Sequence, residues 1–294
     1  MTTILITGCT VGGLGFEAAT QILQADSDAT LLLTVRSEAA QRNVIDTLHA
    51  QNVSYPSRVT VKLLDLSSLA SVRSFCDELD KSNIQTILCN AGTIKNTYRL
   101  TEDGHEWQFQ VNYLAHFLLI YTLLPTLLHR LNPKIVLVSS DMHLNFMNTD
   151  PSYLHHITPV SSYNGMTVYG HTKYLENALA QYLVAHLPIY ITINTVTPGL
   201  VPSTAMADKS SCFDRVLARH VLPFFGIAVS KEIGAKRLVE VAVAESAAGV
   251  TGKYWSRGKF GLPRQEALDQ GVQEKLWKLS CDLVGVDASP SFLE

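Results

Sequence analysis

Unbroken apolar runs, each handing over to a segment of helical period, recur along most of this 294-residue chain. ILIT precedes LGFEAATQILQ, ATLLLTV precedes EAAQRNVIDTLHA, VTVKLLD precedes LASVRSFCDEL, and TILCNAG precedes a long helix around WQFQVNYLAHFLLIYTLL. KIVLVSS, VYGHTKYLENALAQYLVAHL and YITINTVTPG continue the alternation. A strand that is apolar at every position must be covered on both faces, and parallel strands need a crossover helix between them. The pattern predicts an α/β fold: a doubly wound parallel sheet with helices on both faces, in a single domain over residues 1–294. Ligands are then expected beyond the carboxyl ends of the strands.

Composition narrows the partners. A formal net charge of -3 gives no general attraction to nucleic acid or to anionic lipid, so no nucleic-acid partner is expected. Five cysteines, Cys9, Cys76, Cys89, Cys212 and Cys281, are odd in number, scattered and without a CxxC pair. That usage argues against a disulfide framework and a zinc site, and suits a reducing, cytoplasmic setting. His155 and His156 are adjacent and so diverge on either regular element, which leaves no metal site. The greasiest run, FLLIYTLLPTLL at 117–128, is shorter than the ~20 residues of a membrane span and contains Pro125. It reads as a buried helix, with no transmembrane span, and the N-terminus carries no signal-peptide pattern.

The glycine-rich stretch TGCTVGGLG, residues 7–15, falls between the first strand and the first helix. Amides at a helix N-terminus can hold a pyrophosphate there, although a plain strand-to-helix turn would use glycines too. Further landmarks follow in order. Asp65 lies in LLDLSS, Asn90-Ala91-Gly92 follow a fourth strand, Asn112 lies in QVNYLAHF, and Ser140 ends LVSS. Tyr169 and Lys173 form YGHTK, and Pro198-Gly199 follow a sixth strand. This order resembles the short-chain dehydrogenase/reductase family over essentially the whole chain. TEDGHEWQFQVNYLAHFLL and the late GKYW and EKLWKLSCDLVG are similar to its retinol-dehydrogenase-like and WW-domain-oxidoreductase-like branch. The resemblance implies a Rossmann-type nicotinamide dinucleotide site. The glycine spacing departs from the family's, since Gly8, Gly13 and Gly15 fit only with one extra residue in the turn. A register through Gly8 and Gly12 would put Leu14 at the last glycine position. The first register is preferred, with Gly15 at the close helix-strand contact and Thr10 and Leu14 among the phosphate-facing residues.

Arg36 stands at the end of the second strand, in TVRSEAAQR, where an acidic residue would hold the ribose hydroxyls of NAD. A planar guanidinium suits a 2′-phosphate instead, so the cofactor expected is NADP(H), with Ser37 adding a hydroxyl and Arg42 a weaker second cation. A solvated surface Arg is the plainer alternative. The resemblance implies that Asp65 and Leu66 border the adenine, although Asp65 could also cap the helix ahead of it. It implies that Asn90, Ala91 and Gly92 border the ribose, and that Pro198, Gly199 and Val201 lie beside the nicotinamide. Ser203 and Thr204 are candidates for carboxamide and phosphate contacts.

Tyr169 and Lys173, four apart on a helix, share a face about 6 Å apart along the axis. A phenol is a poor base at neutral pH, and a neighbouring ammonium favours its ionised form. In the resemblance Tyr169 exchanges a proton with the substrate oxygen, Lys173 also bonds the nicotinamide ribose, and Ser140 orients the carbonyl. Ser139 competes with Ser140 for that role. Asn112, unfavourable in mid-helix, would hold a water that links Lys173 to solvent. Twenty-nine positions separate Ser140 from Tyr169, room for an elaborated pocket wall in which His143 could touch substrate or be a buried core histidine. Around 200–228 the family places a substrate-covering segment. Its Leu217, Val221, Leu222, Phe224 and Phe225 favour a small lipophilic carbonyl or alcohol, or could face a second copy in a homo-oligomer or a membrane surface. The function expected is NADPH-dependent reduction of a ketone or aldehyde, reversible as alcohol oxidation. Non-redox chemistry on the same scaffold and a cofactor-bound sensor without turnover are the alternatives.

Overall fold

The structure, a computed structural model, describes residues 2–52, 55–145, 148–155, 163–202 and 228–290. Among them, eight strands form one sheet: β1 (Thr3–Ile6), β2 (Thr30–Val35), β3 (Val59–Leu63), β4 (Ile84–Cys89), β5 (Lys134–Val138), β6 (Thr192–Val196), β7 (Lys253–Ser256) and β8 (Lys259–Gly261). Their order is β3-β2-β1-β4-β5-β6-β7-β8. Every neighbouring pair is parallel except β7 with β8.

Alternation along each strand feeds two cores. Leu5 joins one apolar cluster, while Ile4 and Ile6 join the other. Helices α3 (Leu69–Asp77), α4 (Ala115–Leu127), α5 (Gly165–His186) and α7 (Gln270–Val284) supply Val72, Leu118, Leu175 and Leu276 to the first. Helices α1 (Leu14–Ala25), α2 (Glu38–Gln51) and α6 (Lys231–Val243) supply Ile22, Leu48 and Leu238 to the second. The sheet is thus Rossmann-type and covered on both faces, in one domain. The chain winds one way from β1 to β2 and β3, and the other way from β4 onward. A crevice opens where the direction reverses, between β1 and β4.

Two helices do most to position groups at that crevice. Helix α4 enters through a π-helical segment, Phe109–Leu114, so Asn112 sits in a widened turn and not in a regular helix. Pro125 falls in the last turn of α4, and no helix among the described residues is long and apolar enough to cross a membrane. Helix α5 is buried along most of its length, and Asn164 caps it by accepting from the amides of Met166 and Thr167 at 3.0 Å each.

Strands β7 and β8 and helices α6 and α7 lie beyond the alternation read from the sequence. The two strands have four and three residues, too few to show a period. Arg257 and Gly258 turn between them with φ of 51° and 85°, the paired left-handed conformation of a two-residue hairpin.

At the head of α5, Gly165 abuts the backbone carbonyl of Lys95, and any added Cβ would overlap that oxygen. Gly165→Ala is expected to lower stability by about 1–3 kcal/mol in denaturant unfolding. An unchanged midpoint would contradict this contact.

Candidate active site

The carboxyl ends of the parallel strands open on one cavity of about 1030 Å³, at the top of the range of ligand pockets. Gly8 follows β1, Arg36 β2, Asp65 β3, Asn90 β4 and Ser140 β5; Thr197 and Ser256 mark β6 and β7 on its wall.

A threonine ties the central strands together. Thr7 Oγ1 accepts from the amides of Asn90 at 2.9 Å and Ala91 at 3.0 Å, so its own proton goes to His116 Nε2, 3.0 Å away. The imidazole is then neutral with its proton on Nδ1, which donates to the Asn112 carbonyl at 3.0 Å. Asn90 Nδ2 in turn donates to the carbonyls of Thr7 at 2.8 Å and Gly8 at 3.3 Å. Gly8 adopts φ 73° against Ala91, a place no side chain could share. Gly15 packs against the Asn90 side chain and the Gly8 carbonyl, behind the cavity wall. Gly13 caps α1 and donates to the Thr10 carbonyl at 2.9 Å, while Gly12 takes φ 86° in open space. The extra residue is thus absorbed in the turn, and Gly8, Thr10, Gly13 and Leu14 reach the cavity.

At one end of the cavity lie Arg36, Ser37, Asp65 and Leu66. Arg36 is exposed and forms no ion pair among the described residues. Glu38 instead pairs with Arg42 at 3.5 Å along the outside of α2, and Arg42 is not on the wall of this cavity. Ser37 Oγ accepts from the Ala40 amide as the cap of α2. The cap of α3 is Ser68, not Asp65. Asp65 Oδ1 accepts from the Ser67 amide at 2.9 Å and its hydroxyl at 2.7 Å.

At the other end are Ser140, Tyr169 and Lys173. The Ser140 hydroxyl accepts from the Met142 amide at 3.2 Å and is near enough to the Tyr169 phenol to favour its ionised form. Lys173 Nζ sits 5.4 Å from the centre of the Tyr169 ring and donates to the Val138 carbonyl and to Glu176 Oε1, each at 2.7 Å. Burial pushes the Tyr169 phenol above its ordinary range, Lys173 pulls it back, and Glu176 adds to the rise. Burial alone would lower the Lys173 ammonium, but Glu176 and Tyr169 together hold it above the usual range. Ser139 turns away, its hydroxyl donating to the Lys173 carbonyl at 3.0 Å and accepting from Asn177. That leaves Ser140 as the serine beside the phenol.

Asn112 is fully buried and not on the cavity wall. Its Oδ1 accepts from the Thr93 amide at 2.8 Å, and Nδ2 donates to the Thr93 carbonyl and to Thr172 Oγ1. The side chain therefore clamps the loop after β4, and only the backbone carbonyl, already bonded to His116, could serve a water. His143 is also buried off the wall, its Nδ1 bonded to the Ser140 carbonyl at 2.7 Å. Pro198, Gly199 and Val201 line the cavity, with Arg237 Nη1 donating to the Pro198 carbonyl at 3.0 Å. Ser203, Thr204, Cys212 and most of the 200–228 segment lie outside the described residues.

Four contributors escape a reading of the sequence: Thr7, His116, Glu176 and Arg237. Glu176 carries a signal, an acidic residue three positions after Lys173 and so on the same side of the helix. The others carry none. The donor set fits a nicotinamide dinucleotide: an exposed guanidinium without an ion pair among the described residues, a left-handed glycine with no room for a side chain, and helix N-terminal amides share one cavity.

The short chain dehydrogenase family model matches residues 2–154. Retinol dehydrogenase 14 of Mus musculus is 30% identical over 299 residues, covering 97% of this chain and 86% of that protein. The WW domain-containing oxidoreductase of Drosophila melanogaster is 30% identical over 288 residues, covering 96% and 68%. Among solved structures, an uncharacterized protein of Mycobacterium paratuberculosis superposes with TM-score 0.73 at 24% identity, covering 98% of this chain and 94% of that one. The chain belongs to the short-chain dehydrogenase/reductase family of NAD(P)-using oxidoreductases, in the branch of these retinol dehydrogenases and WW-domain oxidoreductases.

His116 gives a test of the central tie. Burial pulls its pKa from 6.5 to about 4. A histidine depressed in the folded state contributes stability that is complete above its unfolded pKa and is lost as pH falls toward the folded value. Between pH ~6.5 and pH ~4 the wild type should lose roughly 3 kcal/mol that a His116→Asn variant does not. Parallel pH-stability curves for the two proteins would contradict a neutral His116.

Proposed function

We propose that this protein catalyses NADPH-dependent reduction of a ketone or aldehyde on a lipophilic or aromatic small molecule, reversible as alcohol oxidation. The observation that carries this reading is the meeting of Ser140, Tyr169 and Lys173 at one end of a cavity whose other end holds Arg36, free of any ion pair among the described residues. Arg36 supports NADP(H) over NAD(H), because a guanidinium can bind two oxygens of a 2′-phosphate and Glu38 is engaged elsewhere. Ile94, Trp107, Val111, Met142 and Met166 supply an apolar wall beside the catalytic end, which supports a lipophilic substrate. Relatives named for retinol are consistent with that class. The segment around 200–228 is the part of the chain we assign to covering the substrate.

The bound dinucleotide supplies the hydride. This chain's own groups handle the oxygen. Ser140 donates to the carbonyl oxygen and fixes its direction, and Tyr169 passes its proton to that oxygen as negative charge develops. Lys173 keeps a positive charge beside the phenol, and two of its three donors are held by protein, leaving one for the ribose. Asn112 holds the loop after β4 at the ribose end.

Tyr169→Phe should cut turnover at least ~10²-fold while NADPH binding is kept, since acid-base help is typically that large. Unchanged turnover would remove Tyr169 from the chemistry. Arg36→Asp should weaken NADPH more than tenfold and leave NADH affinity within a few fold, by titration of each dinucleotide. Equal losses would exclude the phosphate contact. A panel of apolar aldehydes and ketones, scored by NADPH consumption and product mass, tests the substrate class, and a mass change without NADPH consumption would favour non-redox chemistry.

A further inference from the structure

A carboxylate is buried directly behind the catalytic pair. Glu176 lies one helical turn beyond Lys173, its side chain is 2% exposed, and its Oε1 accepts from Lys173 Nζ at 2.7 Å. Its Oε2 has no hydrogen-bond partner among the described residues. A buried charge without a partner is costly, so this acid is retained only through the ammonium beside it. The other groups around the pair leave it electrically alone. From β4, the Cys89 thiol faces both charges and burial holds it protonated. From the π-helical segment, the Tyr113 phenol faces Glu176 and is likewise pushed up by burial. From α4, His116 faces Lys173 and is neutral. Directly after β5, Ser139 stands beside the carboxyl and gives its proton to the Lys173 carbonyl. Among the described residues, Lys173, Glu176 and the ionisable Tyr169 are what remain, all on α5.

We propose that Glu176 is a positioning residue for Lys173 that also offsets the pull of its charge, so that Tyr169 holds its proton until dinucleotide and substrate are in place. The inference rests on Tyr169 as the proton-transfer group of the proposed reaction and concerns the resting state of that group. An ammonium facing Tyr169 alone would favour the phenolate. Here the same ammonium is shared between a carboxylate, a backbone carbonyl and the phenol, and its pull on the phenol is offset. Burial raises the Glu176 carboxyl and Lys173 pulls it back, so the offset is present while the acid is ionised. Geometry adds to charge: with Nζ anchored on Val138 and Glu176, the ammonium cannot swing away from the Tyr169 ring.

The test reads Tyr169 itself, with no dinucleotide or substrate present. Near-ultraviolet phenolate absorbance is titrated in wild type and in Tyr169→Phe, and the difference isolates this residue among the eleven tyrosines. In wild type Tyr169 should titrate above the ordinary tyrosine value of ~10. In Glu176→Gln, taken against the Tyr169→Phe/Glu176→Gln double variant, the midpoint should fall by about one pH unit. Glu176→Asp, which keeps the charge, should restore it. A wild-type midpoint below the ordinary value overturns the proposal without any change at position 176, and so decides the matter even if Glu176→Gln does not fold. An unchanged or higher midpoint in a folded Glu176→Gln overturns it as well. Failure to reduce any carbonyl would count against the proposed activity and leave this titration standing, so the two failures are separable.

Discussion

A buried ammonium organises this molecule. Lys173 is 2% exposed, and taking such a charge out of water costs several kcal/mol unless partners replace the lost hydration. The Val138 carbonyl and the Glu176 carboxylate replace it, one from the end of β5 and the other from α5 itself. That requirement fixes how α5 lies against the sheet. Tyr169, one turn earlier on the same face, is then directed into the cavity beside Ser140 at the end of the same strand. Packing α5 so tightly also brings Gly165 onto the backbone of the loop after β4. Stability and chemistry draw on the same contacts here.

The second constraint lies in the middle of the sheet. Parallel strands end with unpaired backbone amides, and where β1 and β4 diverge those amides need acceptors. Thr7 Oγ1 serves two of them, and His116 fixes the direction of its proton. The same imidazole reaches the Asn112 carbonyl in the widened turn before α4, so the floor of the dinucleotide crevice is coupled to the clamp on Thr93. A turn with one residue more than the family spacing can still work because its ends are fixed. Gly8 is pressed on Ala91, Gly15 is pressed on Asn90, and the additional residue bulges between them.

Much of this is legible in the sequence because it rests on local rules. Strands β1 to β6 announce themselves by their apolar runs, and the helical spacing of Tyr169 and Lys173 puts both on one face. Gly15 can be placed at the helix-strand contact from its position before an apolar helix. What escapes is short or non-local. β7 and β8 are too brief for a period, and their turn is marked only by Arg257-Gly258. Asp65 looks like a helix cap by proximity, yet Ser68 takes that place because it stands directly before the first turn of α3. Asn112 suits a water ligand by its family position, but its side chain is spent on Thr93 and Thr172, partners 19 and 60 residues away. Thr7 and His116, 109 residues apart, meet only through the sheet. Such pairings are set by topology, and one sequence does not display them.

The account stands on the claim that these side chains hand a proton to an oxygen while the dinucleotide delivers hydride to the adjoining carbon. The most direct measurement uses NADPH deuterated at its transferable ring position, incubated with the protein and apolar carbonyl compounds. The account predicts an alcohol product carrying that deuterium on its carbinol carbon, with one dinucleotide oxidised per label transferred. Tight binding of the dinucleotide with unlabelled product, or conversion that proceeds equally well without it, would contradict it.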